Sequence, residues 1–213
     1  MLIHHTQDPQ WMADAYVVAK ERGGPALWID CNGAHDDLHR FVEENDLTIE
    51  GVILTHHHID HIYDLDEVLD RYGVEAGASA RAIELIREDG HFDGEIAYTL
   101  EEDGTIDVAG MQVRAIPTPG HAGGHLAFLI EGTDVFTGDV LFNGTVGGTR
   151  APGHTDLADL QASLGRLLEP FIADRQAVRG QSQLALDTIT GYLDVADLIG
   201  LAYRPSGFGI TQF

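Results

Sequence analysis

Residues 55–61 read Thr-His-His-His-Ile-Asp-His, which places four imidazoles and one carboxylate within seven positions. Neutral imidazole ligates zinc, iron, copper and nickel, and a carboxylate adds charge. The spacing His56-x-His58-x-Asp60-His61 offers up to four ligands to two neighbouring metal ions. Two further segments share the plan of strand end, glycine-bearing turn and potential ligand. In Thr118-Pro119-Gly120-His121-Ala122-Gly123-Gly124-His125 the proline and glycine set a sharp turn that presents His121 at its tip. In Phe136-Thr137-Gly138-Asp139 an apolar run ends on a glycine and then a carboxylate. Each segment has a plainer reading: a solvated turn or His-rich tag for the first, a surface turn for the second, a common Gly-Asp turn for the third. A tag sits at a terminus and has no strand before it. The three segments together point to a metal site.

The elements that must position these side chains are short. Gly51-Val52-Ile53-Leu54 is an apolar strand running into the His-rich segment, and a strand end is a rigid place from which to aim ligands. Ala15 to Ala19 and Ala26 to Ile29 flank Arg22-Gly23-Gly24-Pro25, the pattern of a hairpin. Helical spacing covers Asp36 to Asn45, with Leu38, Phe41 and Val42 on one face, and then Leu65 to Tyr72, ended by Gly73. Val74 to Ala76 is expected to be a short strand, and Ser79 the N-cap of a helix carrying Ala82, Ile83 and Ile86. Thr105 to Val108, Met111 to Ile116, Leu126 to Ile130 and Asp134 to Thr137 are expected strands between glycine-bearing turns. Leu157 to Leu168 returns to helix before Pro170, residues 176–182 offer a last short strand, and Leu184 to Ile199 another helix. Strands mixed with helices throughout predict a layered α/β or α+β architecture.

Composition narrows the function. The 213 residues suit a single domain spanning 1–213, with an atypical C-terminal segment from about residue 176. The hydrophobic share of 44% is that of an ordinary globular protein, and no run of eighteen apolar residues exists to span a membrane. The N-terminus lacks a basic region followed by an apolar core, so a cytoplasmic protein is expected. The net charge is −23, and the twelve basic residues include one lysine, Lys20. Such a surface repels nucleic acid and anionic membranes, leaving a small-molecule substrate as the expected partner and a homo-oligomer open. The charge suits a saline cytoplasm or merely an acidic proteome. Cys31, the single cysteine, follows the apolar segment Ala26-Leu27-Trp28-Ile29-Asp30 and is read as a packed thiol.

Thr55-His56-His57-His58-Ile59-Asp60-His61, Thr118-Pro119-Gly120-His121 and Thr137-Gly138-Asp139, in this order, resemble the metallo-β-lactamase superfamily, in the style of its glyoxalase II-like hydrolases and persulfide dioxygenases. Trp28-Ile29-Asp30 resembles that family's early strand with its aspartate, and the likeness runs over roughly residues 14–170. It implies a four-layer αββα sandwich with the site at one edge between two sheets. It further implies one metal on His56, His58 and His121, a second on Asp60 and His61, and Asp139 bridging both. His57 would point away, Asp30 would orient a ligand imidazole, and Asp60 would also serve as a proton acceptor. The implied cofactor is zinc, one or two ions per chain, with iron or manganese as alternatives.

The chain departs from the family pattern in three places. Gln181, in Val178-Arg179-Gly180-Gln181-Ser182, stands where a further histidine is usual; Ala151-Pro152-Gly153-His154 offers one too early in the chain. Val146-Gly147-Gly148-Thr149 lacks an arginine common in relatives. Few cations follow residue 200 to grip glutathione, which argues against a glutathione thioester. The leading expectation is a metal-dependent hydrolase of a small thioester, lactone or related ester. The alternatives are a mononuclear iron persulfide dioxygenase using His56, His121 and Asp139, and a metal-binding member without catalysis.

Overall fold

The protein is described by a computed structural model covering residues 1–142 and 145–173, with side chains as far as Leu167. The strand expected at 176–182, the helix at 184–199 and Gln181 lie outside the described residues.

Three strands open the chain: β1 (Leu2–Gln7), β2 (Asp14–Ala19) and β3 (Pro25–Ile29). β2 and β3 form the expected hairpin, and β1 adds antiparallel to its outer edge. β1 carries no apolar alternation because it is an edge strand, half-buried on one side and exposed on the other. Helix α1 (Asp36–Glu44) crosses over to β4 (Thr48–Ile53), which lies parallel to β3. A single turn, α2 (Ile59–Ile62), follows the His-rich segment and leads into α3 (Leu65–Tyr72). Gly73 ends α3 in the left-handed region at φ 64°, where a side chain would be strained.

β5 (Ala76–Ala78), α4 (Ala80–Asp89) and β6 (Tyr98–Thr99) complete a six-stranded sheet ordered β1-β2-β3-β4-β5-β6. β5 begins two residues later than its sequence suggests. It consists of Ala-Gly-Ala because the Tyr98 ring of β6 occupies the space a side chain at Gly77 would need. The Ser79 hydroxyl caps α4 as expected, accepting the Ala82 N–H at 3.1 Å.

β7 (Thr105–Val108), β8 (Met111–Pro117), β9 (Leu126–Ile130) and β10 (Asp134–Phe136) form an antiparallel sheet ordered β10-β9-β8-β7. A small ribbon, β11 (Leu141–Phe142) with β12 (Thr145–Val146), precedes helix α5 (Leu157–Ala173). The helix runs past Pro170, where it was expected to stop. Proline holds φ near the helical value, so it costs one backbone hydrogen bond without reversing the chain.

Three apolar cores separate four layers. The first packs α1, α3 and α4 on the six-stranded sheet, with Trp28, Leu38, Val52, Leu65 and Ile86 at its centre. The second lies between the sheets, around Leu27, Ile29, Ile53, Met111 and Phe128. The third joins the smaller sheet to α5 through Ile116, Leu129, Leu160 and Leu164. Along β3, Ala26 and Trp28 enter the first core while Leu27 and Ile29 enter the second. A strand buried on both faces reads as a continuous apolar run, which is how β3 after Pro25 and the last half of β4 look in the sequence. The order helix, sheet, sheet, helix is the expected αββα sandwich. Among the described residues no helix is long and apolar enough to cross a membrane.

Candidate metal centre

β4 delivers Thr55 and His56 to one end of the interface between the sheets, and the segment continues extended to His58, the N-cap of α2. His56 Nε2 and His121 Nε2 each lie 2.9 Å from His58 Nδ1. A second group unites His56, His61 and Asp139. There His61 Nε2 is 3.1 Å from Asp139 Oδ1, and His121 Nε2 is 3.4 Å from Asp139 Oδ2. The Asp139 carboxylate therefore stands between the two groups. Asp60 falls outside both, with its Oδ2 3.8 Å from His61 Nε2.

The outward nitrogen of each converging imidazole meets an acceptor, and this sets its tautomer. The Pro152 carbonyl can only accept, so His58 Nε2–H donates to it at 2.8 Å and Nδ1 keeps its lone pair. By the same logic His121 Nδ1–H donates to the Gly148 carbonyl at 2.9 Å, and Nε2 faces the site. Thr55 Oγ1 donates to Asp30 Oδ2 at 2.7 Å and accepts from His56 Nδ1–H at 3.0 Å, freeing His56 Nε2. Three lone pairs thus aim at one point, an arrangement that suits a cation. The residues present fit a metal ion there.

Protonation agrees with this geometry at His56 and His121. Burial, and then the neighbouring imidazoles, lower the pKa of His56 well below the usual value. Burial likewise lowers that of His121, although Asp139 opposes it. His61 is buried too, yet Asp139 and Asp30 on either side outweigh burial and raise its pKa. Burial would raise the Asp139 carboxyl, but the charge and hydrogen bonding of His61 override it and hold the carboxyl well below the usual range.

Asp30 ends β3 in the left-handed region at φ 57°, which turns its side chain across to the His-rich segment. Its Oδ1 accepts the Thr55 N–H at 2.7 Å, and its Oδ2 accepts His61 Nδ1–H at 2.8 Å. The sequence expectation that Asp30 orients an imidazole is met, with His61 as the imidazole. His57 points away as expected: its Nε2 lies 3.5 Å from Asp89 Oδ2, and Gly153 packs directly against its ring. His154 is exposed, donates to the Ala151 carbonyl at 2.8 Å and belongs to neither group. Cys31 is fully buried, and burial raises its thiol pKa, as a packed cysteine requires.

Sequence reading missed three contributors. The Gly148 and Pro152 carbonyls are backbone groups, invisible to a search for ligand side chains. His125, fully buried, closes the turn that carries His121 and meets Asp139. Its signal in the sequence is the second histidine, which closes Thr118–His125.

Known proteins place this architecture. The description Metallo-beta-lactamase superfamily matches residues 8–176. An uncharacterized protein of Mycobacterium tuberculosis is 33% identical over 196 residues, covering 81% of this chain and 84% of that one. A hydroxyacylglutathione hydrolase of Acidiphilium cryptum is 35% identical over 156 residues, covering 71% of this chain and 60% of that one. The crystal structure of TTHA1623 in a di-iron-bound form superposes with a TM-score of 0.64 at 29% identity, covering 78% of this chain and 86% of that one. With its three motifs on the expected strand ends and its four layers in the expected order, this chain belongs to the metallo-β-lactamase superfamily.

Proposed function

We propose that the protein is a metal-dependent hydrolase of a small thioester, lactone or related ester, acting through an activated water. The observation that carries this reading is the set of converging lone pairs on His56, His58 and His121, with Asp139 linking them to His61. In this reading His56, His58 and His121 hold one ion, Asp60 and His61 hold a second, and Asp139 lies between. When bound, such ions would supply a water of lowered pKa as nucleophile and Lewis-acid polarisation of the substrate carbonyl.

The chain's own residues do the rest. The Gly148 and Pro152 carbonyls and the Thr55 hydroxyl hold the imidazoles in the ligating tautomer. With only the three-imidazole site filled, Asp60, partly buried beside His61, would instead accept the proton given up by the attacking water. No serine or cysteine nucleophile is required. Zinc is the proposed metal, with iron or manganese as alternatives. The Acidiphilium relative, a hydrolase by name, supports the ester and thioester class.

A second reading uses two imidazoles and one carboxylate, His56, His121 and Asp139, of which His121 and Asp139 are in contact; TTHA1623, in a di-iron-bound form, is a structural neighbour that holds iron. That set suits ferrous iron and oxidation of a persulfide. Metal quantification on protein purified without added metal separates the two. Two zinc ions per chain with chelator-sensitive hydrolysis of a thioester and lactone panel supports the first. One iron with sulfide-dependent oxygen uptake supports the second. Metal content without turnover in either assay identifies a binding protein, and full hydrolysis after exhaustive chelation overturns the metal mechanism.

A further inference from the structure

His125 is fully buried, and three segments of the site meet on it. Its backbone carbonyl accepts the Thr118 N–H at 2.8 Å, which closes the turn that presents His121. The next N–H, of Leu126, donates to the Thr55 carbonyl at 2.9 Å, which ties the same point to the start of the His-rich segment. Its ring lies 4.9 Å from that of His56, tilted by 30°. Its Nε2 accepts the backbone N–H of Asp139 at 3.2 Å.

That last bond dictates the proton's position. A nitrogen that accepts from an N–H carries no proton, so His125 must hold its proton on Nδ1. Thr118 Oγ1, 2.8 Å from Nδ1, is the acceptor. Glycine at 138 makes the contact sterically possible. Gly138 sits at φ 48°, and a Cβ there would come within 2.8 Å of His125 Nε2 and 2.9 Å of the Thr55 side chain. The Thr137-Gly138-Asp139 motif is therefore built around an imidazole that faces the Asp139 backbone from below.

We propose that His125 is a positioning residue: it anchors the Asp139 peptide and so fixes where the Asp139 carboxylate stands relative to His61 and His121. The role rests on the metal reading given above. Losing it should loosen the group made with His61 and Asp139 more than the three-imidazole group, whose orienting bonds come from Thr55, Pro152 and Gly148. Partners of this kind are worth about 10–100-fold in metal affinity.

Two measurements on the full chain test it. Nitrogen–proton correlation NMR of the metal-free protein should find His125 neutral with its proton on Nδ1; a proton on Nε2 overturns the proposal whether or not metal binds. Cobalt(II) titration, read by the visible bands of each site, compares His125→Gln with His125→Asn. Glutamine places an acceptor where Nε2 stands, and asparagine does not reach. His125→Gln should stay within about threefold of the native protein at both sites, whereas His125→Asn should weaken the second site about 10–100-fold and the first within about threefold. Thr118→Val, which removes the Nδ1 acceptor together with a longer bond to the His125 carbonyl, should shift the same site in the same direction. Equal behaviour of the two His125 variants, or equal weakening of both sites, overturns the proposal. Failure of the native protein to take up cobalt would instead count against the metal reading.

Discussion

Asp30 Oδ2 accepts a hydrogen bond from His61 Nδ1 at 2.8 Å, with both side chains buried. The same carboxylate accepts the Thr55 hydroxyl, which in turn accepts from His56 Nδ1. One carboxylate thus orients two imidazoles, one directly and one through a hydroxyl. Asp30→Asn replaces an acceptor by a donor that faces another donor. It is expected to cost about 3 kcal/mol in stability and to weaken metal binding about 10–100-fold. Urea unfolding and a competition titration against a coloured chelator measure the two effects. A variant as stable and as tight as the native protein would contradict the geometry.

Metal removal should destabilise the fold. The lone pairs of His56 Nε2 and His121 Nε2 each face that of His58 Nδ1 at 2.9 Å, a repulsion that a bound cation would relieve. Free zinc at 100 times its dissociation constant adds about 2.7 kcal/mol to stability. The melting temperature should rise on zinc addition and fall back with chelator. His58→Ala should abolish most of that rise, and an unchanged zinc response in this variant would remove His58 from the ligand set.

Adjacent glycines should respond in opposite ways. A Cβ on Gly147 would overlap the Asp139 carbonyl oxygen, whereas one on Gly148 would meet nothing within 4 Å. Gly147→Ala is expected to push the loop carrying the Gly148 carbonyl off His121, lowering metal content and costing more than about 3 kcal/mol. Gly148→Ala should remain within about 1 kcal/mol of the native protein. Thermal melts and metal analysis of the pair decide the point.

Acid should expose a different histidine. His35 is buried edge-on against Trp28 at a ring distance of 5.3 Å, and neither of its ring nitrogens has a hydrogen-bond partner. Burial, with His39 nearby, pushes its pKa down to about 4. The unfolded chain binds this proton near the ordinary histidine value, at about 6.5. The unfolded state therefore gains protons first as pH falls, and stability is lost progressively from about pH 6.5 to about 4, by up to about 3 kcal/mol. His35→Phe keeps a ring against Trp28 and removes the titration. Its melting temperature should fall less steeply over this range than that of the native protein, and parallel pH profiles would exclude His35 as a cause.

Much of the fold was legible from local pattern. The β2–β3 hairpin shows in its Gly-Gly-Pro turn, α3 in its closing Gly73, and α4 in its Ser79 cap, because each is set by residues adjacent in sequence. β1 escaped because an edge strand half in solvent needs no apolar alternation. β5 was displaced because Tyr98, twenty-one residues after Gly77, decides which small residues may lie beneath it. Pro170 misled because its fixed φ is compatible with a helix already under way.

The amino-acid sequence alone placed His56, His58, Asp60 and His61 in a segment that follows an apolar strand, and His121 and Asp139 in glycine-bearing turns that follow two others. A short motif dictates its own turn, and its residue types announce the chemistry. Only the tertiary structure decided which nitrogen of each imidazole faces the site. That choice belongs to acceptors far away along the chain: Asp30 for His61, Gly148 for His121, and Pro152 for His58, ninety-four residues distant. Hydrogen-bond acceptors select a tautomer by position in space, and backbone carbonyls carry no mark in the sequence of what they will meet.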